Sequence, residues 1–167
     1  MNLEEAIQTA IEYEIRIRDL YREAADKAPD PVGRRVFSAL GDDENNHVAY
    51  LKDRLGQWQK TGLLTVVELA SAIPSRETIE KEVGKLETRI SREDRKSEKQ
   101  MLSKALAVEV ETSNFYRKMV EEMPDESRQM FARFLEIENG HIAVVQAELD
   151  YLSHTGYWLD FKEFDME

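Results

Sequence analysis

The chain has 167 residues, of which 41% are hydrophobic and 34% charged, so it is long enough for one buried core and short for two. Its net charge of −11 argues against nucleic acid or an anionic membrane as a partner, because such binding relies on Lys and Arg neutralising phosphates. The chain contains no cysteine, which excludes disulfides, thiolate metal sites and iron–sulfur clusters. Its acidic start is neither a basic signal peptide nor an unbroken apolar span, so we expect a cytoplasmic protein with a single domain over residues 1–167.

The first predicted element is an amphipathic helix, in which apolar residues recur at spacings of three and four. Its inner face is formed by Leu3, Ile7, Ala10, Glu14, Ile17, Tyr21 and Ala24. Glu14 therefore occupies a position where the pattern requires an apolar side chain. A turn is predicted at residues 28–31, with Asp30 capping the next helix and Pro31 in its first turn.

The second predicted helix ends near Gln59 and completes a helical hairpin over residues 1–60. Its inner face is formed by Phe37, Leu40, Glu44, His47 and Leu51. Residues three apart on a helix lie on roughly one face. Glu44 and His47 therefore both point towards the predicted core.

Residues 61–90 form a predicted crossover, which is long enough to span the length of a helical bundle. Short helical patterns occur at Thr65 to Ala72 and at Arg76 to Leu86. The densely charged stretch from Ser91 to Lys99 opens the third helix; we interpret it as a solvated helix face and assign it no functional role.

The second predicted hairpin covers residues 91–154, with a turn at Pro124 and Asp125 as the cap of the fourth helix. The inner faces of its two helices are formed by Leu102, Ala105, Glu109, Thr112, Tyr116 and Met123, and by Phe131, Phe134, Glu138, His141 and Val145. Glu109, Glu138 and His141 again take core positions. The hairpin repeats the pattern of the first, which indicates an internal duplication.

The turns predict that the four inward-facing acids lie at one level of the bundle. Glu14 and Glu44 are each fifteen residues from Pro29, whereas Glu109 and Glu138 are fifteen and fourteen residues from Pro124. Burying one unpaired carboxylate costs several kcal/mol, against a net stability of roughly 5–15 kcal/mol for a domain. Two divalent cations would supply the missing positive charge, and a carboxylate and imidazole ligand set favours iron or manganese.

These residues resemble the pattern of ferritin-like di-iron proteins of the rubrerythrin kind, over nearly the whole chain. The resemblance implies an all-α, antiparallel four-helix bundle with one long crossover between its second and third helices, a short tail at residues 155–167, and a homodimer. It also implies two Fe ions, with Mn or a mixed pair as the alternative. The implied ligands are Glu14 and Glu109 as terminal or bridging carboxylates, Glu44 and Glu138 as bridges, and His47 and His141 with one ion each.

Two departures from the family affect the expected chemistry. Rubrerythrins usually carry a four-cysteine iron centre, and this chain has no cysteine, so its reductant would be an external electron-donor protein. The family also commonly has a further carboxylate where this chain has Thr112, and the nearby Glu111 points to the surface. Tyr21 and Tyr116 are interpreted either as hydrogen-bond donors that orient a ligating carboxylate or as core aromatics.

The leading functional hypothesis is reduction of hydrogen peroxide to water, because two adjacent ions can together supply two electrons. The alternatives at the same site are ferroxidase activity with iron storage, a manganese catalase-like reaction, and oxygen-dependent hydroxylation. In a different class, the chain would be a helical interaction module that docks through its aromatic tail, residues 156–164; we expect that tail to cover its own domain or a dimer mate instead. His154 lies outside the motif and is interpreted as a surface or capping residue.

Overall fold

A computed structural model describes residues 1–85 and 95–161 of the chain. These residues form five α-helices and no strand: α1 (Leu3–Lys27), α2 (Pro31–Thr61), α3 (Arg76–Val83), α4 (Lys96–Glu122) and α5 (Asp125–Thr155). The long helices pack as two hairpins, α1 with α2 and α4 with α5, and the hairpins meet through α1 and α4. The expected all-α bundle is therefore confirmed. None of these helices is long and apolar enough to cross a membrane.

The helix ends follow from local chemistry. Asn2 and Glu5 form a reciprocal capping box at the start of α1, and Asp30 caps α2 by accepting a hydrogen bond from the backbone N–H of Val32, as predicted. The cap predicted at Asp125 is wrong by one residue. Pro124 is the N-cap of α5, and Asp125 is its first residue, where a carboxylate interacts favourably with the helix dipole.

The crossover differs most from the predictions. The helix predicted at Thr65 to Ala72 is wrong, because residues 63–75 form a non-helical segment, here called the strap. The strap's backbone carbonyls are held by side chains of the bundle: Tyr50 donates to Val67, Arg54 to Thr65 and Arg133 to Leu69. These tertiary hydrogen bonds replace those that a helix would make.

A close approach fixes the strap on α5. A Cβ atom at Gly140 would lie 2.8 Å from the carbonyl oxygen of Pro74, so only glycine lets the two backbones pack this closely. After the strap, α3 forms within the stretch predicted as helical, and it ends at Val83; Leu86 lies outside the described residues.

The charged stretch at the start of α4 is only partly solvated. Ser91 lies outside the described ranges and α4 begins at Lys96, so the interpretation can be tested only from that point. There Glu98 contradicts it. Its side chain is buried, where it accepts hydrogen bonds from Trp158 Nε1 and from Arg95.

The core consists of two hydrophobic clusters, one towards each end of the bundle. The first includes Ile17, Leu40, Leu102, Val145 and Trp158, and the second includes Ala10, Leu51, Tyr116, Phe131 and Phe134. Along α1, Glu14 lies between Ala10 of one cluster and Ile17 of the other. Along α2, Glu44 lies in the same way between Leu40 and Leu51. The sequence of core positions therefore places a polar layer between two apolar ones.

The tail folds back on its own domain as far as the structure describes it. Trp158, Leu159 and Phe161 are all buried, and Trp158 and Phe161 belong to the first cluster. The expectation that the tail covers its own domain is therefore confirmed for residues 156–161. Residues 162–164 lie outside the described part of the chain.

A second acid is buried near the tail, and it yields a prediction of pH-dependent stability. Glu148 Oε2 accepts a hydrogen bond from the backbone N–H of Leu159, while Oε1 has no hydrogen-bond partner among the described residues. Burial raises the pKa of Glu148 well above its usual value, and the charges of Asp160 and Asp30 add to the effect. The folded protein therefore keeps this proton to a higher pH than the unfolded chain does, so the free energy of unfolding falls as pH rises between the two pKa values.

Glu148→Gln removes the ionisable carboxyl group and keeps a side-chain oxygen that can accept the hydrogen bond from the backbone N–H of Leu159. At pH 8 we expect it to raise the free energy of unfolding by about 1–3 kcal/mol, the usual cost of a buried polar group without a partner, and the gain should shrink towards pH 4. Urea unfolding of metal-free protein across this pH range measures it. Glu136→Gln, which changes an exposed acid on the same helix, is the control, and a pH-independent effect of Glu148→Gln would contradict the assignment.

Candidate metal centre

The structure brings together the six residues that the sequence predicts as metal ligands. They are supplied by four helices, one each by α1 and α4 and two each by α2 and α5, and each is fully buried: Glu14, Glu44, His47, Glu109, Glu138 and His141. They meet because the helix registers match on either side of the two turns. The result is a compact group of four carboxylates and two imidazoles within the core.

Their ligand atoms fall into two overlapping groups, each spanning no more than 4.8 Å. One consists of Glu14, Glu44, His47 and Glu138, and the other of Glu44, Glu109, Glu138 and His141. Glu44 and Glu138 belong to both. This arrangement provides two adjacent positions for metal, with two shared carboxylates between them and one imidazole at each.

Both imidazoles turn Nδ1 towards the carboxylates. His47 Nδ1 lies 3.5 Å from Glu14, 3.3 Å from Glu44 and 3.4 Å from Glu138. His141 Nδ1 lies 2.5 Å from Glu44, 3.3 Å from Glu109 and 3.6 Å from Glu138. Nδ1 is therefore the atom of each ring that can ligate a metal within these two groups.

Asp43 is a site residue that the sequence reasoning missed. Its Oδ2 lies 2.7 Å from Nε2 of His141 and 3.5 Å from Nε2 of His47. The strap completes its hydrogen bonds, since Ser71 Oγ donates to Oδ2 and the N–H of Ala72 donates to Oδ1. The available signal was the spacing of four between Asp43 and His47, which places both on one side of α2.

This contact determines which ring nitrogen is free to bind metal. A carboxylate accepts only, so the 2.7 Å contact places the proton of His141 on Nε2 and leaves Nδ1 unprotonated in the neutral ring. Asp43, His47 and His141 also form a third possible metal group. An ion there would compete with the Ser71 and Ala72 donors for Asp43, so the two groups of four are the better candidates.

Tyr21 and Tyr116 connect the two hairpins through the site. The Tyr21 hydroxyl donates to Glu109 Oε1 at 2.5 Å, and the Tyr116 hydroxyl donates to Glu14 Oε1 at 2.5 Å. Each tyrosine thus orients a carboxylate of the opposite hairpin. Both interpretations of these residues apply, because both rings are also packed in the core.

The donor atoms fit a bound cation. In the described part of the chain, eight buried atoms of the site have no hydrogen-bond partner: Glu14 Oε2, both carboxylate oxygens of Glu44 and Glu138, Glu109 Oε2, and both ring nitrogens of His47. The short approach of Glu44 to His141 lacks hydrogen-bond geometry and does not satisfy the oxygen. Buried carboxylates without donors are costly unless a positive charge is present.

The pKa values of two of the four acids are raised, and those of the other two are lowered. Burial and the charge of Glu14 raise the pKa values of both Glu44 and Glu138 well above the usual range. Burial also opposes ionisation of Glu14, but hydrogen bonding to Glu44 and the charge of His47 outweigh it and lower its pKa to about 2. Burial also opposes ionisation of Glu109, but its pKa is lowered because the charge of His141 and hydrogen bonding to His141, Glu138 and Tyr21 together outweigh burial.

The same charges shift the pKa values of the two histidines and the two tyrosines. Burial lowers the pKa of each histidine, but the carboxylates dominate, above all Glu14 for His47 and Glu44 for His141, and both pKa values rise. Burial raises the pKa values of Tyr21 and Tyr116 well above 10, with Glu109 and Glu14 contributing. Both phenols therefore remain neutral donors, and without metal the cluster reduces its charge by holding protons.

Thr112, where the family commonly has a carboxylate, is buried and donates to the carbonyl of Val108. Two further sequence interpretations are confirmed. Glu111 is exposed and pairs with Arg16 at 3.2 Å. His154 is exposed in the last turn of α5, where Nδ1 donates to the Asp150 carbonyl.

Asp43→Asn tests the orientation of the imidazoles. The Asn amide would present an N–H to His141 Nε2, which moves the ring proton to Nδ1 and blocks the ligating atom. We expect metal affinity to fall by about 10–100-fold, measured by competition with a chromophoric chelator. Asp42→Asn, at the exposed neighbour, is the matched control. Equal affinities for the two variants would contradict the role of Asp43.

The described residues define a helical bundle with a buried acidic and histidine cluster that can hold metal ions. Comparisons with protein-family models, curated proteins and solved structures find no match to this chain.

Proposed function

We propose that this protein is a ferritin-like, rubrerythrin-type dinuclear metal oxidoreductase that reduces hydrogen peroxide to water. The observation that carries the proposal is the pair of four-residue groups that share Glu44 and Glu138 in the core. The carboxylate and imidazole set suits two Fe ions, with Mn or a mixed pair as alternatives. When bound, two such ions supply the two electrons that peroxide needs, and the chain's own residues arrange the site around them.

The protein's contribution is orientation, exclusion of water and control of protons. The hydroxyl groups of Tyr21 and Tyr116 fix the outer carboxylates, and Asp43 fixes the ring of His141. All six proposed ligands have no exposed surface. The site is therefore shielded from bulk solvent.

The burial of the site favours a small oxidant over an organic substrate. The cavity between α3 and α5 has a volume of about 900 Å³, and none of the six proposed ligands lines it. A hydroxylase would need such a cavity to open onto the metals. Peroxide and oxygen are small enough to approach without one, so we place hydroxylation below peroxide reduction.

Ferroxidase activity with iron storage and a catalase-like manganese reaction remain the alternatives at the same residues. The interaction-module alternative is weaker, because the tail's aromatic residues up to Phe161 are buried against their own domain. The absence of cysteine implies an external electron-donor protein. We further propose a cytoplasmic homodimer.

The test is elemental analysis of protein purified without chelator, followed by anaerobic mixing of the ferrous-loaded protein with peroxide and with oxygen separately. We expect about two ions per chain and faster oxidation by peroxide. Preference for oxygen with continued iron uptake and a large hollow assembly would indicate ferroxidase and storage. Absence of metal, before and after reconstitution, would overturn the proposal and leave a helical interaction protein.

A further inference from the structure

An aromatic path leads from the site to the surface between α1 and α4. Tyr116, bonded to Glu14, packs against Phe115 with ring centroids 5.5 Å apart. Phe115 in turn packs against Tyr13, with ring centroids 5.0 Å apart. Tyr116 is fully buried, whereas Phe115 and Tyr13 are only partly buried. A phenol near solvent is thus joined by two ring contacts to a phenol bonded to a proposed ligand.

The corresponding path from Tyr21 is closed. Tyr21 packs against Phe37 at 6.3 Å, and Phe37 packs against Trp158 at 5.3 Å. Trp158 is 3% exposed. The two halves of the duplication therefore differ: within the part of the chain that the structure describes, the ring contacts from Tyr116 lead through Phe115 to a partly exposed tyrosine, whereas those from Tyr21 end at a buried tryptophan.

A branch towards Tyr50 is less suited to losing an electron. Phe134 lies 5.1 Å from Tyr116 and 5.7 Å from Tyr50 between ring centroids. The Tyr50 hydroxyl donates to a backbone carbonyl, which cannot take its proton, and the Arg54 guanidinium lies 5.8 Å from the ring centroid. A cation over a ring is attracted to its electrons and so opposes their removal.

We propose that Tyr116, Phe115 and Tyr13 form an exit path that carries surplus oxidising equivalents from the metal centre to the surface. The proposal rests on the proposed reaction with peroxide. It concerns turnovers in which the centre can supply only one of the two electrons that peroxide requires. In that case an oxidising equivalent is left inside a fully buried site that an external reductant cannot contact.

The missing electron comes from Tyr116. Its phenolic proton passes to Glu14 Oε1 along the 2.5 Å hydrogen bond, which leaves a neutral tyrosyl radical. One peroxide takes one electron from the centre, one from Tyr116 and two protons, one of them from solvent and one from the phenol through Glu14, and leaves as two waters.

The radical then moves outwards. One electron passes from Tyr13 through Phe115 to Tyr116, whose oxygen takes up a proton from solvent by way of Glu14, and Tyr13 releases its own proton to solvent at the surface. A one-electron reductant in solution and a solvent proton restore Tyr13. The net exchange is one electron and one proton from solution for each surplus oxidising equivalent.

The experiment uses full-length protein loaded with one ferrous ion per chain, mixed anaerobically with peroxide, frozen at set times and examined by EPR, with ascorbate as the reductant. We expect a tyrosyl signal in the wild type that ascorbate removes. Tyr13→Phe keeps the ring packing, and it should slow this removal by about tenfold, or 1.4 kcal/mol in activation free energy. Tyr50→Phe is the matched control and should behave as the wild type.

Tyr116→Phe and Phe115→Leu supply the second test. Tyr116→Phe should abolish the signal formed next to Glu14, while metal content measured in parallel reports whether the site is intact. Phe115→Leu should form the signal and slow its removal as Tyr13→Phe does. Two outcomes would overturn the exit path alone, provided that peroxide is consumed. In the first, ascorbate removes the tyrosyl signal of Tyr13→Phe as fast as that of the wild type. In the second, only Tyr50→Phe slows this removal. Failure to bind metal or consume peroxide in the wild type would instead overturn the proposed function.

Discussion

Replacing Glu44 by Gln is expected to abolish tight metal binding at both positions, whereas Glu14→Gln should keep about one ion per chain. Glu44 belongs to both four-residue groups, and Glu14 to only one. The amide is nearly isosteric, so it removes a negative charge without leaving a cavity. Elemental analysis after reconstitution, with unbound metal removed by gel filtration, gives the two stoichiometries.

The same substitution should lower stability in the presence of metal and should not lower it in the metal-free protein. A ligand at a thousand times its Kd stabilises a protein by about 4.1 kcal/mol, and Glu44→Gln should lose this gain. Without metal its stability should not fall below that of the wild type, because Glu44 is a buried acid whose pKa is raised by burial and by Glu14. Glu148→Gln, at a buried acid outside the three possible metal groups found among the described residues, is the control for metal content. Unchanged metal in Glu44→Gln would refute its assignment as a shared ligand.

The main helices and the six proposed ligands could be predicted because their signals are local. Each ligand interrupts an apolar helix face, and the turns at Pro29 and Pro124 place the interruptions at one level. Burial of Glu14, Glu44, Glu109 and Glu138 follows from that register alone. The burial of Tyr21 and Tyr116 follows from the same register, but their hydrogen bonds were left open, because each phenol donates to an acid of the opposite hairpin.

The missed features depend on partners that are distant in sequence. The strap is non-helical because Tyr50, Arg54 and Arg133 bind its carbonyls, and no pattern within residues 65–72 reveals these bonds. Glu98 lies in a charged stretch, yet Trp158, sixty residues away, buries it. The strap donates two hydrogen bonds to Asp43, and these were hidden while the strap was predicted as a helix, so the spacing of four from His47 was the one available signal.

Replacing Trp158 by Ala should cost about 3–5 kcal/mol of unfolding free energy, the usual range for a large aromatic removed from a core. That loss is large against a total of roughly 5–15 kcal/mol for a domain. Trp158 packs edge-on against Phe37 at 5.3 Å, and its indole N–H donates to the buried Glu98. Its ring also fills the space over Gly33, where an added Cβ would lie 2.7 Å from Cε2.

Trp58, the other tryptophan, is only partly buried, so Trp58→Ala is the matched control and should cost distinctly less. Urea unfolding of the metal-free proteins measures both losses. Trp158→Phe separates packing from hydrogen bonding, because it keeps a ring against Phe37 and removes the indole donor to Glu98 Oε2, while Arg95 still donates to Oε1. Gly33→Ala should destabilise by forcing the same indole out of place, although it alters no residue of the tail. If Trp158→Ala lowers the free energy of unfolding no more than Trp58→Ala does, the tail does not complete the core.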